Sequence, residues 1–203
     1  MKRRVSEMND LNLNRAEFIR SAAAPKQFIR SSLPKAAFAG RSNVGKSSVI
    51  NRLVNRKQFA KVGATPGKTV HVNYFDIDGK MILIDLPGYG FAKVSQNERD
   101  RWAGLMESFF AEAGTFDVGV LIVDARHKPT ADDVRMAEYF KNAGHEFVVL
   151  ANKLDKLKKS EIEPSMALIR QTLSLDEETE LIPFSAEKGD GRERLLGWLL
   201  RLL

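Results

Sequence analysis

From residue 36 onward, short apolar runs take turns with stretches of helical periodicity, and no other feature limits the available folds so tightly. The runs at 36–40, 70–76, 81–85, 118–124, 147–152 and 181–184 read as strands, and four of these six are almost continuously apolar. That is the pattern of strands covered on both faces. Trp102, Leu105, Met106, Phe109 and Phe110 recur at spacings of three and four, so they share one face of an amphipathic helix and are read as core, not as a base-stacking surface. Further helices are expected over 46–54, 130–142, 160–172 and 192–202. Strand and helix in alternation predict a three-layer α/β domain around a six-stranded mixed, mainly parallel sheet.

With 203 residues, a second complete domain would be difficult to fit. The segment 1–35 carries eight basic and three acidic side chains with little periodicity, so it forms either an extended basic arm or a short strand and helix laid across the domain at 36–203. The absence of cysteine excludes disulfides, thiolate metal sites and a Cys nucleophile. The start, Met1 to Arg4, is basic but is not followed by the apolar stretch of a signal peptide. No run approaches the roughly 18 apolar residues of a membrane span, which points to the cytoplasm and away from transmembrane association. A formal charge of +6 and a pI near 9.5 suit a polyanionic partner, RNA or an anionic membrane surface.

The chemistry lies at the ends of the apolar runs. Gly40-Arg41-Ser42-Asn43-Val44-Gly45-Lys46-Ser47 has the P-loop pattern and stands between a strand and a helix. Its glycines let the backbone curl so that N–H groups face phosphate oxygens, and the helix N-terminus adds positive potential. Lys46 reaches the outer phosphates, and Ser47 offers a hydroxyl to Mg2+. Asp85-Leu86-Pro87-Gly88 ends the third run, where a carboxylate can hold Mg2+ through water and the Gly88 N–H can meet a γ-phosphate.

Asn152-Lys153-Leu154-Asp155 follows the fifth run. A carboxylate at Asp155 accepts from both N1–H and the 2-amino group of guanine, two donors that adenine lacks. After the sixth run, Phe184-Ser185-Ala186 would present backbone N–H to the guanine oxygen. Four motifs in this order predict a GTP/GDP site at the carboxyl edge of the sheet.

These residues resemble the translation-factor-related bacterial GTPases, and among them the EngB family (also called YihA or YsxC), factors in large ribosomal subunit assembly. The marks are residues 40–47, Thr65-Pro66-Gly67-Lys68-Thr69, Asn73-Tyr74-Phe75, Asp85-Leu86-Pro87-Gly88-Tyr89-Gly90-Phe91-Ala92 and Arg101-Trp102. The resemblance implies a Mg2+-dependent P-loop GTPase, probing the large subunit and its rRNA as a monomer and needed for normal cell division. It also implies that Thr69, not Thr65, is the switch threonine that closes on Mg2+ and the γ-phosphate, with Gly67, Lys68, Val70 and His71 around it. Lys46, Thr69 and Gly88 are then the catalytic residues, and Ser47, Thr69 and Asp85 the metal ligands. The residues alone leave Thr65 and Thr69 undecided.

Ras-like proteins carry a water-orienting Gln after the glycine of this turn, whereas here Tyr89 follows Gly88. Slow intrinsic hydrolysis is expected. By the same resemblance Asn43 matches a P-loop asparagine that helps bind a monovalent cation, which makes K+ stimulation a hypothesis. His71, His127 and His145 lack metal or triad spacing. Lys153, Lys156, Lys158 and Lys159 cluster beside the base loop, and Lys61, Lys68, Lys93, Arg99 and Arg101 surround two Gly-, Pro- and Lys-rich segments, 61–68 and 87–93, expected to move. Such a surface suits RNA. A GTP-regulated binding module for cell-division or membrane proteins is the competing function.

Overall fold

The structure, a computed structural model, describes residues 11–60, 70–90 and 95–203. The expectations for Lys61, Thr65, Pro66, Gly67, Lys68, Thr69, Phe91, Ala92 and Lys93 lie outside them. In chain order the elements are β1 (Ala16–Ala22), β2 (Lys35–Gly40), α1 (Lys46–Leu53), β3 (Val72–Ile77), β4 (Met81–Asp85), α2 (Gln96–Ala111), β5 (Val118–Asp124), α3 (Ala131–Asn142), β6 (Phe147–Asn152), α4 (Lys159–Thr172), β7 (Leu181–Pro183) and α5 (Arg192–Leu200).

The strands form one sheet in the order β1-β3-β4-β2-β5-β6-β7. β2 pairs in parallel with β4 and β5, and β6 joins β5 to β7 in the same sense. Among the described residues β3 alone runs opposite to the other strands, antiparallel to both β1 and β4. Its hairpin to β4 turns through Asp78 and Gly79 at φ +58° and +64°, the conformation a type I′ turn demands. The apolar runs at β2, β4, β5 and β6 are buried along almost their whole length, because α1 and α5 pack on one face while α2, α3 and α4 pack on the other.

Among the described residues the sheet has seven strands where six were expected. The additional one is β1, contributed by the segment 1–35 in keeping with the second of its two readings, a short strand laid across the domain, and it lies antiparallel along β3 from Ala16 opposite Ile77 to Ala22 opposite Val72. Only its two end residues are buried. An edge strand held by main-chain hydrogen bonds leaves no alternation of apolar side chains to read. Ser21 adds a hydroxyl hydrogen bond to Asn73 Oδ1 at 2.6 Å, and Phe18 meets Phe75 edge to face at 5.7 Å.

The aromatic stripe on α2 is core: Leu105, Met106 and Phe109 are buried, and Phe109 stacks on Phe116 at 5.6 Å. The α3 layer closes over β5 at Gly119, where an added Cβ would meet the Phe140 ring at 2.5 Å. Gly119→Ala is therefore expected to destabilise the fold by about 1–3 kcal/mol through overpacking. The check is a lower urea midpoint at unchanged slope.

Because α1 leaves β2 toward one face and α2 follows β4 toward the other, the chain parts at the carboxyl ends of these neighbouring strands. In open α/β sheets that divergence makes the ligand crevice.

Candidate functional site

At this crevice the loop between Gly40 and Lys46 doubles back tightly. Gly45 has φ +99°, and a Cβ there would lie 2.5 Å from Asn152 Nδ2, so only glycine fits. No side chain caps the start of α1. Its first-turn amides, including those of Lys46 and Ser47, have no intrahelical acceptor and point out of the helix with the positive end of its dipole. Two amides of the loop are already committed: Ser42 N–H donates to Tyr89 O at 2.8 Å and Val44 N–H to Arg41 O at 3.1 Å. Anion-facing donors are thus drawn from the rest of the loop and from α1.

Opposite α1, Asp85 ends β4 and pairs with the Lys46 ammonium, each side chain only about a tenth exposed at 11% and 10%. Ser47, Gly88, Val70 and His71 line the same cavity as this pair. One carboxylate and one hydroxyl, open toward space for an anion, is a donor set that fits Mg2+. That ion keeps several waters and is usually held by one or two carboxylates plus phosphate oxygens. Among the described residues no group of three or more His, Cys, Asp or Glu could hold a metal by protein ligands alone.

The turn after Asp85 is stitched to its surroundings. Leu86 is buried and its N–H donates to Phe38 O at 3.0 Å, Pro87 O accepts from Trp102 Nε1 at 3.2 Å, and a Cβ on Gly88 would stand 3.4 Å from Ser42 N. Tyr89, 4% exposed, donates its hydroxyl to Asp133 Oδ1 at 2.8 Å. Asp133 Oδ2 meanwhile accepts from the Thr130 N–H and hydroxyl at 2.7 and 2.8 Å, closing the capping box of α3. The phenol is therefore spent on α3. Sequence reasoning missed Asp133 and the reach of Trp102: the Thr130–Asp133 spacing signals a capping box, but nothing local names Tyr89 as its further partner.

Burial first, and then the Asp133 carboxylate, push the Tyr89 phenol well above its ordinary range. Burial also pushes Tyr74 up to about 12. An unfolded chain ionises these phenols near pH 10. It therefore loses its protons first, so stability held below about pH 10 falls as pH rises toward the folded values. Tyr89→Phe is expected to cost about 1–2 kcal/mol at neutral pH and to flatten that alkaline decline, read from urea midpoints between about pH 8 and 11.

The other end of the site gathers at β6 and β7. Asn152 is buried; its Nδ2 donates to Val44 O at 2.9 Å, and its Oδ1 accepts from Ala186 N–H at 3.1 Å. Asn152 thus ties loops together, and the Ala186 amide expected to face a ligand is engaged by it. Lys153 adopts φ +70°, the turn that starts the short 3-10 segment Leu154–Lys156. Leu154 N–H donates to the carbonyl of buried Phe184 at 3.0 Å. Asp155 is 4% exposed at its side chain, where Oδ1 accepts from the Ser185 hydroxyl at 2.7 Å and Oδ2 lies 3.1 Å from Lys156 Nζ. The Ser185 hydrogen bond, opposed by burial and reinforced by Lys156, holds Asp155 below the usual carboxylate range. Arg52 on α1 clamps the same loop through Ala186 O at 2.8 Å and Glu187 O at 2.6 Å. Asn152, Lys153, Asp155 and Ala186 share a cavity with Gly45 and Arg52.

His127 is exposed, and His145 packs on Phe116 at 4.7 Å. Lys156, Lys158, Lys159, Arg99 and Arg101 are exposed. Among the described residues no helix is long and apolar enough to cross a membrane.

Residues 35–153 match a family described as 50S ribosome-binding GTPase. A probable GTP-binding protein EngB of Clostridium perfringens (strain SM101 / Type A) is 46% identical over 189 residues, 93% of this chain and 96% of that protein. Among solved structures, a probable GTP-binding protein engB superposes with TM-score 0.66 at 26% identity, covering 83% of this chain and 97% of that one. Era in complex with MgGDPNP and nucleotides 1506–1542 of 16S ribosomal RNA superposes with TM-score 0.64 at 26% identity, over 84% of this chain and 57% of its own. A family match over more than half of the chain, joined to this identity across nearly all of it, makes the protein a member of the 50S ribosome-binding GTPase family and, inside that family, of the EngB GTP-binding proteins.

Proposed function

We propose that the protein is a Mg2+-dependent, slowly hydrolysing GTP switch that acts on the large ribosomal subunit in the cytoplasm. The observation that carries this reading is that the Lys46–Asp85 pair and the Asp155–Ser185 pair stand at two ends of one site, joined by Asn152. Lys46 and the α1 amides would take the phosphates, and Ser47, Asp85 and Thr69 are the residues that would hold Mg2+. Bound Mg2+ would offset charge on the phosphoryl group. Asp155 selects guanine, and the Ala186 amide serves the guanine oxygen while shared with Asn152. Slow turnover fits Tyr89, whose phenol stands where Ras-like proteins place a water-orienting Gln and donates its hydroxyl to Asp133 instead.

The family description, the Era structure with bound rRNA and the exposed lysines beside the Asp155 loop support an RNA-rich partner. Titration with fluorescent guanine nucleotide and magnesium should saturate, and the GTP-loaded protein should sediment with 50S particles in a salt-sensitive way. Absence of saturable binding would sink the switch. Nucleotide-independent binding to a division protein with no ribosomal signal would favour the competing module. K+ stimulation through Asn43 belongs to the same reading and is lost if turnover is equal in potassium and sodium.

A further inference from the structure

We infer that Asp124, at the carboxyl end of β5, is a positioning residue for guanine-nucleotide binding, holding the Lys153 ammonium against the Asn43 carbonyl and so locking the base loop to the phosphate loop. The inference rests on the nucleotide site proposed above and adds a residue that none of its motifs contains.

Lys153 Nζ lies 2.9 Å from Asp124 Oδ2 and 2.9 Å from Asn43 O. Its side chain therefore spans from the end of β6 to the phosphate loop, along a cavity it shares with Asp155 and Ala186. The carboxylate is itself pre-oriented. Arg126 grips it with Nε to Oδ1 at 2.9 Å and Nη2 to Oδ2 at 2.7 Å, and its main-chain N–H adds a third bond to Oδ1 at 3.1 Å. Such a planar fork fixes the plane of a carboxylate, which leaves Oδ2 turned toward the ammonium. Burial would favour the neutral acid, but the hydrogen bonds from Arg126 and Lys153 outweigh it and keep Asp124 ionised far below neutral pH.

A lysine side chain ordered only on binding gives up rotamer freedom. Asp124 orders this one beforehand, with its tip tied at both ends and its stem standing as a fixed wall of the cavity. A second consequence follows from the double contact. Displacing either loop breaks a charge-assisted hydrogen bond, so the groups that would hold the phosphates and those that would hold the base move together.

The test is a double-mutant cycle on fluorescent GDP with Mg2+, comparing wild type, Asp124→Ala, Lys153→Met and the double variant. Asp124→Ala should weaken binding about tenfold or more, with the loss in GTP turnover falling on KM rather than kcat. In the Lys153→Met background the same change should cost less than about twofold, because the route it acts through is already gone. Asp124→Asn, which keeps an acceptor oxygen for the ammonium, should recover part of the affinity. Should Asp124→Ala fold poorly, Asp124→Ser, which retains an acceptor for the Arg126 N–H, replaces it in the cycle. Unchanged affinity, or equal losses in both backgrounds, would overturn the role of Asp124 while leaving the site intact. Absence of binding by the wild type would instead remove the site, and this role with it.

Discussion

Asp155→Asn should lower affinity for guanine nucleotides by about a thousandfold and raise affinity for xanthine nucleotides, because a buried site built to accept hydrogen bonds discriminates by leaving polar groups unpaired. The geometry says which way the new amide turns. Oδ1 accepts from the Ser185 hydroxyl at 2.7 Å, and Ser185 is fully buried, so the amide oxygen stays there and the NH2 replaces the other oxygen. An NH2 at that place repels the guanine 2-amino group and donates to the xanthine carbonyl. Competition of GDP and XDP for a fluorescent guanine nucleotide reads both changes. Equal GDP affinity in the variant would contradict the assignment.

Lys46→Met should reduce GTP turnover by about a thousandfold, the scale seen when one preorganised donor to a developing charge is removed. It should also lower stability, because Asp85 pairs with Lys46 and is only 10% exposed at its side chain. Removing one partner of a nearly buried pair costs about 3 kcal/mol or more through the carboxylate left behind. The two effects separate in the double variant Lys46→Met/Asp85→Asn. Neutralising Asp85 should restore most of the melting temperature, while turnover stays lost because both the ammonium and the carboxylate proposed to hold Mg2+ are gone. Recovery of turnover in the double variant would mean that Lys46 acts only as a structural counter-ion.

Much of the candidate site was legible because each of its parts is a short contiguous stretch of chain. A loop that curls between a strand and a helix needs glycine where φ is positive and a neighbour leaves no room for a Cβ, and Gly45, at φ +99° with Asn152 Nδ2 2.5 Å from an added Cβ, stands in that position. The strands at 81–85, 118–124 and 147–152 were readable to the residue because strands buried on both faces leave an uninterrupted apolar record. β1 left none: with five of its seven residues exposed, main-chain pairing carries it, and every residue except proline can make that pairing.

The amino-acid sequence by itself determined the order of strands and helices from β2 onward, the places where the chain curls, and the residue types proposed for the phosphate, magnesium and base positions. These depend on periodicity and on short local spacings. Tertiary structure alone decided that the Tyr89 hydroxyl goes to Asp133, 44 residues away, and that Asn152 and Lys153 reach back 108 and 110 residues to Val44 and Asn43. Such meetings depend on strand order in the sheet, and with it on burial summed over the whole core. No local spacing records which carboxyl ends will be set side by side.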